Sequence, residues 1–281
     1  MEKKKKVLIV CNYNKEGADS IAVDMKKYLE KKGFAVTTIR NSHLDRYKKI
    51  SQFCLLVTLG GDGAVLAASR KVASFDIPIL AINFGTIGFM TEVEPLSWEQ
   101  AIESFVDGTY ICRKHMMLDV TVMRDKKIYA QGVVLNEGVI NCPESRTVRL
   151  NVEIDGETLG KYMADGLIVS TTTGSTAYSS AAGGPIVYPE MDTIILSPIC
   201  PYSFIVRPIV VSPEKKITVR LENRNTNIIL VLDCQTSIPI KNTDVVVFQR
   251  SASNVRVITL PGDEDRFFHK LRERMSLHGA E

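Results

Sequence analysis

The sequence predicts an α/β plus all-β chain, and three observations support this. Through about residue 112, short apolar runs alternate with segments of helical periodicity, the pattern of a parallel sheet with crossover helices. Beyond it, strict apolar/polar alternation takes over, broken by turn-forming Asp, Gly, Asn and Lys. Glycine-bearing turns follow two of the N-terminal strands. The expected arrangement is a Rossmann-like N-terminal α/β domain over 1–112 and a C-terminal β-sandwich domain over 113–255. A tail over 256–281 can pack back on the first domain.

In chain order, "KVLIVCN" reads as a buried strand, after which Ile21, Met25, Tyr28 and Leu29 recur at helical spacing. Asp19 or Ser20 is the expected cap of that helix, and Gly33 stands just past its end. "FAVTTI", "FCLLVTL" and "IPILAIN" are further strands, with the helix "AVLAASRKVAS" between the last two. In the second region "LDVTVMRD", "KIYAQGVVLNEGVI", "TVRLNVEIDG", "KITVRLEN" and "NIILVLDC" alternate as half-buried strands. "FFHKLRERM" reads as a short amphipathic helix, and no fixed-period repeat is present.

Composition narrows the function classes. With 45% hydrophobic and 24% charged residues and a net charge of +3, the chain is an ordinary globular protein, not a nucleic-acid binder. The basic run Lys3 to Lys6 directly precedes the first strand and reads as its solvated entrance. No apolar stretch approaches the roughly 18 residues needed to span a bilayer, and no signal-peptide pattern opens the chain, so a cytoplasmic protein without membrane contact is expected. The six cysteines never form C-x-x-C and the four histidines never form H-E-x-x-H, so no structural metal is expected.

The stretch "LVTLGGDGAVLAASR" sets Gly60, Gly61 and Gly63 between a strand and a helix, at the carboxyl end of a parallel strand where open α/β sheets gather ligands. Without Cβ atoms, these glycines let backbone N–H groups approach a phosphate, and the helix that follows adds its positive N-terminal dipole. Neither G-x-x-x-x-G-K-[ST] nor G-x-G-x-x-G is present. Asp62 is the odd element, because a carboxylate among phosphate-facing amides repels the ligand unless it holds Mg²⁺ or accepts a proton from an attacking hydroxyl. Capping of the following helix is the other reading, and both stay open at this point. A second turn, "AINFGTIGFMTE", carries Asn83, Gly85, Gly88 and Phe89, with Phe89 either core or the flat wall of an adenine pocket.

The most specific stretch is "DGLIVSTTTGSTAYSSAAGGPI", in which eight of the eleven residues from Ser170 to Ser180 are Ser or Thr. A strand leads in and "GGP" closes it, so ordered backbone presents the hydroxyls to a ligand rich in ribose hydroxyls and phosphate oxygens. Asp165 precedes it as an acceptor for a carboxamide or ribose. In "LNEGVI", Asn136 and Glu137 form a polar pair at a strand end, suited either to an ordinary turn or to reading a ribose diol.

"GGDG" at 60–63, "NFGTIGFMT" at 83–91, "NE" at 136–137 and "DGLIVSTTTGSTAYSSAAGGP", followed by "PICPYSFIVRPIVV" and "LDCQ", closely resemble the NAD kinase family. The resemblance implies transfer of the γ-phosphate of ATP, or in some members of polyphosphate, to the 2′-hydroxyl of the adenosine ribose of NAD, giving NADP. It implies Mg²⁺ bound mainly through the ATP phosphates, NAD between an α/β and a β-sandwich lobe, and a homodimer or homotetramer. Carried over by motif, Asp62 is the catalytic acid-base residue with Gly60, Gly61 and Gly63 around it. Phe89, Thr176, Ala177 and Tyr178 surround adenine, Asn136 and Glu137 hold ribose, and Asp165 contacts the nicotinamide end. Ser179, Ser180 and Ala181 complete the loop, and Gln235 belongs to the last motif. The chain departs from the family pattern at Thr172, where Pro is usual and the turn is expected to be less rigid, and at Ala64, Met163, Tyr202 and Cys234.

A ribose hydroxyl is a poor nucleophile, and a carboxylate of ordinary acidity, pKa about 4, cannot ionise it in the ground state, so help must come in the transition state. Two other readings are a lipid kinase sharing the "GGDG" turn, which needs an apolar tunnel in place of the hydroxyl-rich loop, and a non-catalytic NAD(P)-sensing module, which does not need Asp62.

Overall fold

The computed structural model describes residues 5–85, 88–144, 146–203, 205–222, 227–260 and 266–279. In chain order the elements are β1 (Lys6–Cys11), α1 (Ala18–Lys31), β2 (Ala35–Arg40), β3 (Leu55–Gly60), α2 (Asp62–Val72), β4 (Ile79–Asn83) and α3 (Trp98–Asp107). Next come β5 (Ile111–Arg124), β6 (Lys127–Val134), β7 (Glu137–Asn141), β8 (Val148–Ile154), β9 (Glu157–Ala164) and β10 (Gly166–Thr171). The chain ends with α4 (Tyr178–Ala181), β11 (Ile194–Ile199), β12 (Ile209–Val211), β13 (Ile217–Leu221), β14 (Ile228–Leu232), β15 (Thr236–Ile240), β16 (Val245–Thr259) and α5 (Phe267–Gly279). They fall into two compact units, the first spanning 1–115 and 253–281, the second 116–252. No described helix is long and apolar enough to cross a membrane.

The first unit is a parallel sheet in the order β2-β1-β3-β4, extended by the end of β16, where Val257 and Ile258 pair with Ile79 and Leu80. Its strands are near-continuous apolar runs because both faces are covered, as all-parallel sheets require. One face buries Val7, Ile9, Val57, Leu59, Leu80 and Ile82 against Ala22, Met25 and Leu29 of α1 and Ala101 and Ile102 of α3. α1 starts differently from the sequence expectation. Its N-cap is Gly17 at φ 78 with no side-chain cap, and Asp19 sits in the first turn, where its charge complements the helix dipole. α3 lies where the sequence reading names no element. Its signal is Trp98, Ala101, Ile102 and Phe105 on one face, ended by Gly108 in the left-handed region at φ 72.

A buried charge cluster ties α5 into this unit. Lys270 of α5 donates to Thr91 O at 3.2 Å and to Glu92 Oε2 at 3.3 Å, and Arg113 meets Glu92 Oε1 at 3.5 Å. Beside these two cations, His115 is buried. Burial first, then the positive charges of Arg113 and Lys270, push its pKa from 6.5 down to about 4.

The second unit stacks two antiparallel layers. One runs β12-β11-β10-β7-β14-β15, and the other joins β9, β8 and β13 to the start of β16, with β5 and β6 paired alongside. Inward-facing residues of both layers, among them Leu118, Leu150, Val219 and Phe248 from one and Ile140, Val169, Leu196 and Leu230 from the other, form a single core. The run "KIYAQGVVLNEGVI" is not one strand but two, β6 and β7, parted at Leu135–Asn136.

The β14–β15 turn is strained. Asp233 and Cys234 both take left-handed φ, 47° and 54°, a conformation that Asp tolerates and Cys does not. Cys234→Gly is expected to stabilise the chain by roughly 0.5–1 kcal/mol, the αL penalty removed less the entropy that Gly adds to the unfolded chain. A urea-denaturation midpoint that fell instead would refute it. A second expectation concerns acid. A base whose folded pKa is depressed contributes stability above its unfolded pKa and loses it as pH falls, here between 6.5 and about 4. The stability of the native chain relative to His115→Gln should therefore fall by about 2 kcal/mol from pH 7 to pH 5. Denaturation curves at the two pH values read this difference, and a constant difference would show that His115 is not held neutral.

Candidate active site

At the carboxyl end of the first unit's sheet, the glycine turn is short and ordered. β3 ends at Gly60, Gly61 caps α2 at φ −113, and Ala64 N–H donates to Gly61 O at 2.9 Å. Phe84 N–H, just beyond β4, donates to Gly60 O at 2.8 Å, which draws the second glycine turn beside the first. Neither Gly61 nor Gly63 has a left-handed φ, and a Cβ at either would meet no atom within 4 Å. Neither the fold nor the packing needs glycine there. The room beside these two glycines lies at a helix N-terminus, as in a site that admits an anion at contact distance.

Asp62 is the first residue of α2, and its side chain does not cap that helix. It reaches instead to the second turn, accepting from Phe89 N–H at 2.9 Å, Met90 N–H at 3.1 Å and the Thr91 hydroxyl at 3.5 Å. Of the two readings left open by the sequence, capping is therefore not the one realised. Gly88 makes this approach possible, since a Cβ there would overlap Asp62 Oδ1 and stand 2.8 Å from its Cγ. Phe89 is half-buried, its ring 5.9 Å from that of Phe267, with the Arg274 guanidinium 5.2 Å from its centroid. Thr86 and Ile87, part of the same sequence motif, lie outside the described residues.

In the second unit, Asn136 lies in the break between β6 and β7, and Glu137 opens β7. The hydroxyl-rich loop lies directly on them. Thr171 N–H donates to Asn136 O at 2.8 Å and the Thr171 hydroxyl to Leu135 O at 2.6 Å, while a Cβ on Gly174 would stand 2.7 Å from the Asn136 carbonyl carbon. The turn after β14 closes the group from the other side. Asp233 Oδ2 accepts from Leu135 N–H at 2.9 Å, and Oδ1 accepts from the N–H groups of Asn136 and Glu137 at 2.8 and 3.1 Å. Sequence reasoning missed Asp233. Its only local signal is an acid ending the alternating run "NIILVLDC".

Glu137 is almost wholly buried, and neither its Oε2 nor Asn136 Oδ1 has a hydrogen-bond partner among the described residues. Burial, reinforced by the neighbouring Asp233 charge, pushes the Glu137 pKa from 4.5 up to about 8, against a small opposing contribution from the Cys234 thiol 3.9 Å from Oε1. A shift in this direction favours the neutral acid near pH 7, a form that can donate as well as accept.

Most loop hydroxyls are used internally. Ser175 accepts from Val187 N–H at 3.1 Å, Ser179 and Ser197 share a 2.8 Å bond, Ser180 donates to Ala177 O at 2.8 Å, and Thr176 donates to Thr173 O at 3.2 Å. Ser179 is fully buried, whereas Tyr178 and Ala181 are exposed and Thr176 and Ala177 half-buried. The dense hydroxyls therefore satisfy a tight backbone as much as they present a polar face. Thr172 is not the loose point expected of it. Its hydroxyl binds Met191 O and accepts from Thr193 N–H at 3.0 Å, tying the turn to the segment before β11. Gln235 is exposed one residue past Cys234. Asp165 is not in this group. It precedes β10, whose far end, Ser170, pairs with Glu137, about 16 Å away along the strand.

Among the described residues, no three His, Cys, Asp or Glu side chains converge as a metal cage. A hard divalent ion here would keep most of its ligands from a phosphorylated substrate and water, which is the usual habit of Mg²⁺.

Residues 40–110 match the ATP-NAD kinase N-terminal domain family and residues 135–260 the ATP-NAD kinase C-terminal domain family. The NAD kinase of Geotalea daltonii is 34% identical over 282 residues, covering 96% of this chain and 98% of that protein. That of Treponema denticola is 31% identical over 279 residues, covering 98% of each. In fold, the chain is similar to a yeast NADH kinase crystallised with NADH (TM-score 0.85, 21% identity, 100% of this chain and 90% of that one). It is also similar to an Archaeoglobus fulgidus NAD kinase in complex with ATP (TM-score 0.77, 24% identity, 95% and 98%). With both domain families matched in order and relatives above 30% identity along nearly its whole length, the chain belongs to the NAD kinase family.

Proposed function

We infer that this chain transfers the γ-phosphate of ATP to the 2′-hydroxyl of the adenosine ribose of NAD, releasing ADP and NADP. Family membership supports the activity. One structural observation carries the mechanism: the Asp62 carboxylate, held by the N–H groups of Phe89 and Met90, stands at the N-terminus of α2 between Gly61 and Gly63, where an added Cβ would meet nothing within 4 Å. A proton acceptor and an anion cradle in one turn are what phosphoryl transfer to an alcohol asks for. As the ribose oxygen forms its bond to the γ-phosphorus and the bridging bond to ADP breaks, the hydroxyl proton passes to Asp62. The Phe89 and Met90 N–H groups fix the direction of the carboxylate, and the N-terminus of α2 favours the phosphate charge. Mg²⁺ bound on the nucleotide phosphates supplies charge neutralisation.

In the second unit, Asn136 and Glu137 hold ribose hydroxyls through Asn136 Oδ1 and Glu137 Oε2, the atoms without a partner among the described residues. Thr176, Ala177 and Tyr178 contact adenine, Phe89 is carried over by motif as an adenine-binding residue, and Asp165 takes the nicotinamide carboxamide. Ser179, Ser180 and Ala181 hold the loop, and Gln235 borders the ribose turn. A homodimer or homotetramer in the cytoplasm, with no nucleic-acid or membrane partner, belongs to the same reading. A lipid kinase would need an apolar tunnel where the hydroxyl loop and buried Glu137 stand, and a sensor would have no use for Asp62. The family comparisons favour neither.

Incubation with Mg·ATP and NAD, with NADP detected by an NADP-specific dehydrogenase, should give product. NADH and polyphosphate arms would define acceptor and donor range. Asp62→Asn should lower turnover by about 10²- to 10⁴-fold while NAD affinity, measured by calorimetry, stays close to that of the native chain. Near-normal turnover would reject the proton-acceptor role. Gly88→Ala should displace the Asp62 carboxylate and cost about 10²-fold in kcat. Unchanged kcat in a folded Gly88→Ala protein would mean that the Asp62 geometry is not needed.

A further inference from the structure

Asp233 makes no contact with the proposed reacting atoms, yet it organises the residues that would hold the ribose. It is 1% exposed, and its carboxylate takes three consecutive backbone N–H groups, those of Leu135, Asn136 and Glu137. Its own N–H returns a bond to Glu137 O at 2.9 Å. Three N–H groups released by the interruption between β6 and β7 would otherwise be buried without acceptors, at a cost that closes the strand or opens the turn to water. We propose that Asp233 is the positioning residue of the ribose site, aiming Asn136 and Glu137 at the dinucleotide and acting on it only through them. This rests on the ribose assignment made above.

The arrangement has an electrostatic consequence. The groups that act on Glu137 are the Asp233 carboxylate behind it and the Cys234 thiol beside it, both from the β14–β15 turn, while β10 sets uncharged Ser170 opposite it in register. Burial is the larger cause of the raised Glu137 pKa, and the Asp233 charge behind it adds to the preference for the neutral form, so Asp233 reinforces Glu137 as a donor at neutral pH. A group that only braced the turn would leave the pH dependence of binding alone.

The test is a set of NAD titrations by calorimetry from pH 6 to pH 9 on the full chain, for the native protein, Asp233→Asn, Glu137→Gln and the double variant. ATP affinity serves as the control on the other substrate. Asp233→Asn should weaken NAD binding about tenfold, within the usual range for coupled neighbours. It should leave ATP binding unchanged and move the inflection in NAD affinity from near pH 8 to lower pH. In the Glu137→Gln background its remaining effect should be smaller and free of that inflection. Asp233→Ser, which removes the charge and keeps one acceptor, replaces Asp233→Asn if the latter does not fold. A folded Asp233 variant with native NAD affinity and pH profile, or an equal loss with and without Glu137, overturns the proposal. If Glu137→Gln alone leaves NAD affinity untouched, the ribose assignment itself falls and takes the proposal with it.

Discussion

A carboxylate drawn away from water must find donors, and for Asp62 and Asp233 most of the donors are backbone N–H groups from a segment far away in sequence. Asp62 meets the 89–91 segment, 27 to 29 residues on, and Asp233 meets the 135–137 segment, 96 to 98 residues back. Each contact satisfies both sides. The loop gains an acceptor for amides that no strand or helix uses, and the acid gains a fixed direction. Backbone donors cannot rotate away as a Ser or Lys side chain can, so both turns are held without ordering further side chains.

The glycines divide along the same line. At Gly88 and Gly174 a side chain would collide with the protein, so these glycines let Asp62 approach its loop and let the hydroxyl loop lie on Asn136. At Gly61 and Gly63 nothing in the protein would be struck. Glycine where the packing would accept a side chain suits the close approach of a ligand, and a helix N-terminus favours an anionic one. A Gly-rich motif is thus two signals mixed together, one about folding and one about binding, and only coordinates separate them.

The sequence carried much of the fold. Buried parallel strands write themselves as apolar runs, and half-buried antiparallel strands as alternation, so β1, β3, β4, β8 and β14 were legible from side-chain pattern alone. α3 was equally patterned but went unread, and the start of α1 misled because Gly17 in a left-handed conformation replaced the side-chain cap that Asp19 or Ser20 suggested. The split of "KIYAQGVVLNEGVI" is not legible locally, because the acceptor of the N–H groups at the break, Asp233, comes from the turn after the neighbouring strand β14, 96 to 98 residues on. For the same reason Asp62 could be singled out by its oddity in the turn, but not its partners, and Glu137 by its type, but not its protonation. Local pattern encodes elements; the groups that set a site's geometry and charge are nonlocal.

Glu137 shows what such a site costs the fold. An acid whose folded pKa is raised from 4.5 to about 8 contributes stability below 4.5 that is lost progressively as pH rises toward 8. His115, held neutral in the other unit, acts in the opposite sense between 6.5 and about 4. Between 4.5 and 6.5 the two slopes oppose one another, and above 6.5 only the Glu137 term remains. A Gln at 137 would fill the same space without that term, so stability alone gives no reason for an acid there. A neutral carboxyl whose Oε2, like the Asn136 Oδ1, has no partner among the described residues makes sense if a ligand with hydroxyls that both donate and accept completes the pair. The binding of that ligand would then offset the cost of burying these polar atoms.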